Sequence, residues 1–280
     1  STGGSSGSGG TGAGSGGATG SGGTGTGGSS ATGSGGTGSG GSGATTFFTD
    51  GFESDTVGQQ PAGFDSLIDY VYKGTNSSSS EGALVDGTHV HGGSKAVHFA
   101  AQGGQLMTFL EYPLPVGTNH LYLRVYVYLA TAIGDEPASS NDNHETLIAL
   151  TQDPSNANQQ IRFGQIFGAL GTNESVTDNI APITADWNMG AQISAATWHC
   201  LEVEFDGTAA YNALRAYSDG TLVHAITSAA DWAHSPGLAA DWMSGHFVDV
   251  ALGWQSFSSM KNDVWMDDLA MSTTGRIGCN

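Results

Sequence analysis

Runs of residues that alternate apolar and polar side chains constrain this chain most strongly. They recur between residues 95 and 272, and clusters of Gly, Asp, Asn and Ser separate them. A period of two places successive side chains on opposite faces of a β-strand. Asp219-Gly220, between two such runs, supplies the positive φ that a tight hairpin needs. The pattern therefore predicts an all-β fold, an antiparallel β-jelly-roll sandwich with little helix.

The N-terminal segment has a different composition. Residues 1–45 are only Gly, Ser, Thr and Ala. Such a segment cannot bury enough apolar surface to offset the entropy lost on ordering, so it is predicted to be a flexible linker. Residues 46–280 are then predicted to form one jelly-roll domain.

The charge balance excludes two classes of partner. Lys plus Arg number 7 and Asp plus Glu number 26, for a formal net charge of −19. Nucleic acid and anionic membrane surfaces gain affinity from basic residues, which are scarce here. No apolar run reaches the roughly 18 residues that a membrane span needs, so we expect no membrane insertion. We also expect a monomer.

The chain has two cysteines, Cys200 and Cys279. An even pair in a chain that looks extracellular favours a disulfide, and two buried free thiols are the alternative. The expected location is secreted or extracellular, where the linker would tether the domain to a cell surface or to another protein.

The run "HLYLRVYVYLA" has two distinct faces. One face is purely apolar and is predicted to be core. The other face carries three tyrosines and an arginine, which suit the stacking and hydrogen bonding of a sugar; a half-buried layer beneath a loop is the alternative. The candidate glycan-binding residues are Tyr122, Arg124, Tyr126 and Tyr128, together with Trp254 from a later run.

The run "QQIRFGQIFGAL" contains an arginine, which is scarce in this chain, close to a glutamine. Arg162 and Gln165 are three apart, which on a regular strand sends them to opposite faces. Gly164 lies between them, and a glycine inside a strand often marks a bulge, which would bring both to one side. Alternatively, Arg162 pairs with one of the many acidic residues.

A search for motifs of metal sites and catalytic nucleophiles identifies no site. No His-Glu-x-x-His is present, and Cys200 and Cys279 lack the spacing of zinc ligands, so transition-metal catalysis is not expected. The Gly-x-Ser-x-Gly matches lie in the low-complexity segment and carry no signal. A Ser-His-Asp triad stays open.

Two adjacent carboxylates interrupt the last run, "WMDDLAMS". Strand alternation places Trp265, Asp267, Leu269 and Met271 on one face and Asp268 on the other. One carboxylate is then aimed inward, where it needs a calcium ion or a cationic side chain as partner.

The order of motifs resembles a known family. "FFTDGFESDTVGQQPAGF", "THVHGGSKAVHF", "IRFGQIFGAL", "WHCLEVEFDG", "LRAYSDGTLVHAI" and "WMDDLAMSTTGRIGC" resemble the core domain of the cellulose-induced protein family. That family comprises secreted β-jelly-roll proteins similar to the glucuronan lyases of polysaccharide lyase family 20. The resemblance covers nearly everything after residue 46.

The resemblance implies a structural Ca²⁺ site that joins the two ends of the domain. The matching positions are Glu53, main-chain carbonyls near Thr88 and His91, and Asp267. Asp268 would then be solvated or would support the site, and the alternative leaves both aspartates at the surface.

The resemblance also implies a lyase cleft. Arg162 and Gln165 match its Arg and Gln, and Asp178 best matches an acid in the loop beyond. Gln160 stands where a histidine is expected, and Phe257 stands where a tyrosine is expected. These departures concern the catalytic residues and leave the implied fold unchanged.

Two functions compete on these residues. One is β-elimination on a glucuronan-like uronic-acid polysaccharide, with Arg162 and Gln165 neutralising the carboxylate, Tyr126 or His144 moving protons, and Arg124 positioning the chain. The other is a non-catalytic carbohydrate-binding module for cell-wall glycans; adhesion is a weaker third. Convergence of Arg124, Tyr126, Arg162 and Gln165 in one groove favours catalysis, whereas a flat aromatic strip favours binding.

Overall fold

The computed structural model describes most of the chain after residue 43. The described residues are 44–68, 82–100, 107–132, 144–152, 160–166, 169–174, 191–210, 212–228, 231, 243, 246–256 and 261–279. They all belong to one compact unit, Ser39–Asn280. The predicted linker lies almost wholly outside them and stays a prediction.

Fourteen strands make up the described structure, which contains no α-helix. No helix in the described ranges is therefore long and apolar enough to cross a membrane. The strands are β1 (Thr46–Asp50), β2 (Asp65–Ile68), β3 (Ala83–Asp86), β4 (Ala96–Phe99), β5 (Met107–Pro113), β6 (His120–Leu129), β7 (His144–Thr151), β8 (Gln160–Ile166), β9 (Ala169–Glu174), β10 (Trp198–Asp206), β11 (Ala213–Ser218), β12 (Thr221–Ile226), β13 (Asp249–Ser256) and β14 (Val264–Ser272).

The strands form two antiparallel sheets. The eight-stranded sheet has the order β12-β11-β10-β6-β14-β4-β3, with β1 pairing β14. The six-stranded sheet has the order β2-β5-β13-β7-β8-β9. Neighbours in each sheet are mostly distant in sequence, as in a jelly roll. The predicted all-β jelly-roll sandwich is confirmed.

The core lies between the two sheets. On β6 the apolar face, including Leu121, Val125 and Leu129, is buried in one hydrophobic cluster. The six-stranded sheet contributes Ile161 and Phe163 from β8 to the same cluster. Since side chains alternate along a strand, Arg124 on β6 and Arg162 on β8 both lie on outer faces, but on opposite sides of the sandwich.

Two local predictions are confirmed. Asp219 and Gly220 have φ values of 50° and 79° in the turn that joins β11 to β12. Cys200 and Cys279 form a disulfide with a Cα–Cα distance of 5.9 Å, which attaches the C-terminal tail to β10.

Candidate functional site

The outer face of the six-stranded sheet carries a row of four residues in register across four strands. Glu111 on β5 pairs with Ala251 on β13, Ala251 pairs with Ala149 on β7, and Ala149 pairs with Arg162 on β8. Three strand spacings of about 4.8 Å separate the backbones of Glu111 and Arg162 by roughly 14 Å. Two long charged side chains thus flank a floor of two methyl groups.

The charged members of this row are nearly inaccessible, although they lie outside the core. Arg162 is 3% exposed and Glu111 is 8% exposed. Charged side chains are almost never this buried unless they have partners. Met107 and Phe109 pack with the two alanines in a second hydrophobic cluster, separate from the main core. The outer face around this row, called the groove below, is therefore covered rather than solvated.

A second carboxylate lies beside Glu111. Asp249 is two residues from Ala251 on β13, so strand alternation places it on the same face, and it is 5% exposed. Gln160 and Gln255, both buried, add amide groups to this face. Sequence reasoning missed Glu111 and Asp249. Their signal was a single acid inside an otherwise apolar run, "TFLEYP" and "FVDVAL".

Gly164 does not mark a bulge in β8. The β8–β9 register is continuous, and the shift lies in β7 between Thr146 and Ile148. A Cβ on Gly164 would lie 1.9 Å from the Glu145 carbonyl oxygen, so the glycine is required by the close approach of the irregular neighbouring strand.

The expected pairing of Arg162 with Gln165 on one face is therefore wrong. With a regular β8, Gln165 shares its side with Phe163, between the sheets, and it is fully buried. Gln165 does not line the groove.

The predicted groove shared by Arg124, Tyr126 and Arg162 is also wrong, because β6 and β8 belong to different sheets. Arg124 donates to the carbonyl oxygens of Asp268 and Gly278, each at 3.2 Å, and so holds the C-terminal tail. Tyr126 is buried beneath the His91 ring, whose centroid is 3.5 Å away.

The remaining residues that the sequence suggested for the site do not lie together in the structure. Trp254 is fully buried in the main core, so its prediction as a sugar-binding residue is wrong. His144 begins β7 and pairs with Ile166, and the structure does not describe its side chain. Asp178 and Phe257 lie outside the described residues.

The outer face of the eight-stranded sheet carries an aromatic row. Leu84, His98, Trp265, Tyr128 and Trp198 lie in register across β3, β4, β14, β6 and β10. The His98 and Trp265 rings stack at 4.3 Å, and the Tyr128 and Trp198 centroids are 5.6 Å apart. Of the predicted tyrosine face of β6, Tyr128 alone belongs to this row, because Tyr122 and Tyr126 pair with other residues.

One histidine and two carboxylates at the start of β6 lie close enough for a metal ion. Within the described ranges, His120, Glu204 and Asp206 are the one such group of three or more. His120 Nε2 lies 3.0 Å from Glu204 Oε1, and Arg215 Nη1 donates to Glu204 Oε2 at 3.1 Å. Burial and the Glu204 carboxylate raise the pKa of neighbouring Tyr122 to about 12. Arg215 already neutralises one of the two carboxylates, that of Glu204.

The expected arrangement of "WMDD" needs one correction. Asp268 has φ of 48°, and the β14–β6 register shifts between Asp267 and Ala270. This bulge places Leu269 and Met271 in the core with Met266 and leaves Asp267 on the other face. Asp267 is fully buried, as expected of one carboxylate, but its contacts are with a loop over the sheet rather than with the core.

The backbone of that loop, residues 91–95, donates hydrogen bonds to two predicted calcium ligands. The Asp267 Oδ2 atom accepts from the backbone N–H groups of His91 at 2.9 Å and Gly92 at 3.0 Å. Glu53 Oε1 accepts from the backbone N–H groups of Ser94 at 2.8 Å and Lys95 at 2.9 Å. These bonds lower the pKa of Glu53, whereas burial raises that of Asp267.

Further polar groups surround residues 91–95, a region called the corner below. His91 Nδ1 lies 2.6 Å from Asp268 Oδ2, and Thr88 bonds to Asp86 through its hydroxyl and its N–H. A Cβ on Gly92 would lie 2.8 Å from the Asp268 carboxylate, so the loop presses closely on the acids. Lys95 Nζ binds the main-chain carbonyls of Glu53 and Asp55 instead of a carboxylate. A hard cation prefers carboxylate and carbonyl oxygens. Both kinds are present here, and the carboxylate oxygens of Glu53 and Asp267 accept backbone N–H groups.

Comparisons with known proteins agree with this architecture. A family model described as polysaccharide lyase-like, Cip1-like core domain, matches residues 62–274. Comparison with curated protein sequences returned no match.

Solved structures of similar fold include "Cellulose induced protein, Cip1", with a TM-score of 0.62 and 20% identity over 83% of this chain and 100% of that chain. An endo-1,3-beta-glucanase from Streptomyces sioyaensis has a TM-score of 0.52 and 15% identity, over 82% and 96% of the respective chains. An endo-beta-1,4-glucuronan lyase from Trichoderma reesei is more distant, with a TM-score of 0.45 and 13% identity over 82% and 96%.

Proposed function

We propose that this chain, which belongs to the Cip1-like core-domain family of polysaccharide lyase-like proteins, acts on an acidic polysaccharide held in the groove of the six-stranded sheet. The row that joins Glu111 to Arg162 across Ala251 and Ala149 carries this proposal. Arg162 is the only Lys or Arg in the six described strands of that sheet. A single arginine in that sheet, in a chain of net charge −19, suits one carboxylate of a uronic acid.

The proposed reaction is β-elimination. Arg162 would neutralise the uronate carboxylate and so favour loss of the neighbouring C5 proton, and Glu111 would accept that proton. The electron pair forms the C4–C5 double bond as the C4–O bond breaks. Asp249, on the strand next to Glu111, would supply a proton to the leaving oxygen. A glucuronan-like polymer is the proposed substrate.

The test uses the full chain on glucuronan, alginate, pectate, xylan and cellulose, and follows the ultraviolet absorbance of the unsaturated product. Arg162→Ala should reduce turnover by about 10²–10³-fold, the usual loss for one donor to a developing oxyanion. Arg215→Ala, on the other sheet, is the matched control and should keep full activity. Absence of an unsaturated product on every acidic polymer would refute the lyase.

A non-catalytic glycan-binding role is the second candidate. The aromatic row of the eight-stranded sheet favours it, because flat rings in register suit stacking on sugar rings. His89 lies over the middle of the strip, with its centroid 4.5 Å from that of Tyr128 and 4.2 Å from that of Trp265. Trp198, at the end of the strip, is half-buried. Trp198→Ala should then weaken retention on insoluble glycan, whereas Arg162→Ala should not.

We also propose a structural Ca²⁺ at the corner of residues 91–95. Glu53 and Asp267 would supply carboxylate oxygens, and main-chain carbonyls near Thr88 and His91 would complete the set. The ion would join the N-terminal loop to β14. The disulfide supports the proposed secretion, since such bonds persist in oxidising compartments.

A further inference from the structure

A chain of hydrogen bonds lies at one end of the eight-stranded sheet, away from the groove. Ser194 Oγ lies 2.9 Å from His199 Nε2. His199 Nδ1 lies 2.8 Å from Asp219 Oδ2. The three side chains therefore connect in the order hydroxyl, imidazole, carboxylate, with each imidazole nitrogen facing one partner.

The fold holds the carboxylate from two directions. Asp219 sits in the tight turn between β11 and β12, and its backbone N–H donates to the Cys200 carbonyl at 2.9 Å. The other carboxylate oxygen, Oδ1, accepts from the Cys200 N–H at 2.9 Å. Cys200 is itself anchored by the disulfide to Cys279. The hairpin turn is thus docked on the start of β10, next to His199.

This arrangement selects one tautomer of His199. An ionised carboxylate only accepts hydrogen bonds, so the Nδ1 that faces Asp219 carries the proton. Nε2 is then an acceptor, and the Ser194 hydroxyl donates to it. Ser194 is exposed and the His199 side chain is 14% exposed, so an outside electrophile can reach the hydroxyl.

We propose that Ser194, His199 and Asp219 form an acyl-transfer site that hydrolyses carboxylic esters. The reasons are that a nucleophile, a base and a group that orients the base are each within hydrogen-bond reach, as in serine hydrolases of unrelated folds. Because Ser194 is exposed at the rim of the sandwich, the ester is one carried on the surface of a larger molecule. This site does not depend on the function of the groove.

The reaction balances with water alone. Ser194 Oγ attacks the ester carbonyl while its proton passes to His199 Nε2. The tetrahedral intermediate then expels the alcohol, which takes that proton. Water next attacks the acyl-serine, gives one proton to His199, and releases the acid as Ser194 recovers its hydrogen.

The first test treats the full chain with a fluorophosphonate probe and with 4-nitrophenyl acetate. We expect one label per chain, on the peptide that contains Ser194, together with a burst of 4-nitrophenol. Ser194→Ala should abolish both, and His199→Phe should slow both by at least about 10²-fold, the usual contribution of a general base. Thr197→Ala, which removes another hydroxyl of the same loop, is the control and should react like the parent.

The second test separates chemistry from folding. Ser194→Cys should react with iodoacetamide faster at neutral pH than the same variant carrying Asp219→Asn, with both shown to be folded by their melting curves. An unlabelled Ser194 in the folded parent, or equal labelling in His199→Phe, would overturn the proposal. Equal iodoacetamide rates in the two cysteine variants would overturn it as well.

Discussion

Glu111 and Arg162 occupy the same cross-strand row of the six-stranded sheet, with only Ala251 and Ala149 between them. A carboxylate and a guanidinium therefore lie at the two ends of a row whose middle is two methyl groups, all on the covered outer face of the sheet. The small residues are as important as the charged ones, because a larger side chain at either alanine would fill the floor.

Glu111→Gln should separate catalysis from binding. The amide keeps the size of the side chain but does not take up a proton, so lyase turnover should fall by about 10²-fold or more. Retention on immobilised glucuronan should stay within a few-fold of the parent. Glu204→Gln, on the opposite sheet, is the matched control and should leave both measurements unchanged. If the Glu111→Gln variant turns over substrate as fast as the parent, Glu111 is not the base of the proposed reaction.

Gly164→Ala should destabilise the groove. The added Cβ would lie 1.9 Å from the Glu145 carbonyl, so β7 and β8 must separate, at a cost of about 1–3 kcal/mol. Thermal unfolding monitored by circular dichroism measures this loss. Gly275→Ala is the control, because its Cβ would meet only Ala44 at 3.7 Å. Equal melting temperatures for the two variants would contradict the close approach.

Chelation should reveal the proposed calcium ion. Excess EGTA should lower the melting temperature of the parent, and added Ca²⁺ should restore it. Asp267→Asn removes a buried charge that the ion would neutralise, so its melting temperature should no longer respond to EGTA. Metal analysis showing no calcium, with an unchanged parental melting curve, would rule the site out.

Stability should fall in mild acid because of His224. Burial lowers the pKa of this histidine to about 4, and its ring faces Phe163 at 6.5 Å between centroids. The unfolded chain takes up a proton near pH 6.5 but the folded chain does not. Stability is therefore complete above pH 6.5 and falls as the pH drops towards 4.

The size of this effect is at most about 3 kcal/mol, from 1.36 kcal/mol per unit of pKa difference. Urea unfolding at pH 7 and pH 4.5 measures it. His224→Gln should make the free energy of unfolding depend less on pH between these two values. His98→Gln is the control and should not, because His98 Nε2 lies 2.9 Å from Asp263 Oδ1. An unaltered acid profile in His224→Gln would assign the loss of stability to other groups.

Much of the fold could be predicted because its signals are local. The apolar face of β6 and the hairpin at Asp219 depend on a period of two and on a turn that needs positive φ. The disulfide was predicted from an even pair of cysteines in a chain that was expected to be extracellular. These features need no knowledge of which strands are neighbours.

The predictions were wrong where pairing with a neighbouring strand decides which way the side chains point. Gly164 looks like a bulge in its own strand, but it accommodates an irregularity in β7. Asp267 was assigned to the wrong set of side chains because the bulge at Asp268 reverses the alternation. Neither irregularity leaves a pattern in its own strand, since each depends on how that strand pairs with its neighbour.

The sequence alone determined that Tyr126 would face away from the core, because side chains alternate along β6 and its other face is purely apolar. Only the tertiary structure decided that Arg162 also lies on an outer face, on the opposite side of the sandwich. Strand pairing is non-local, so the choice of sheet for β6 and β8 depends on contacts along the whole chain. Those contacts put Arg162 in line with Glu111, a residue that no motif had linked to it.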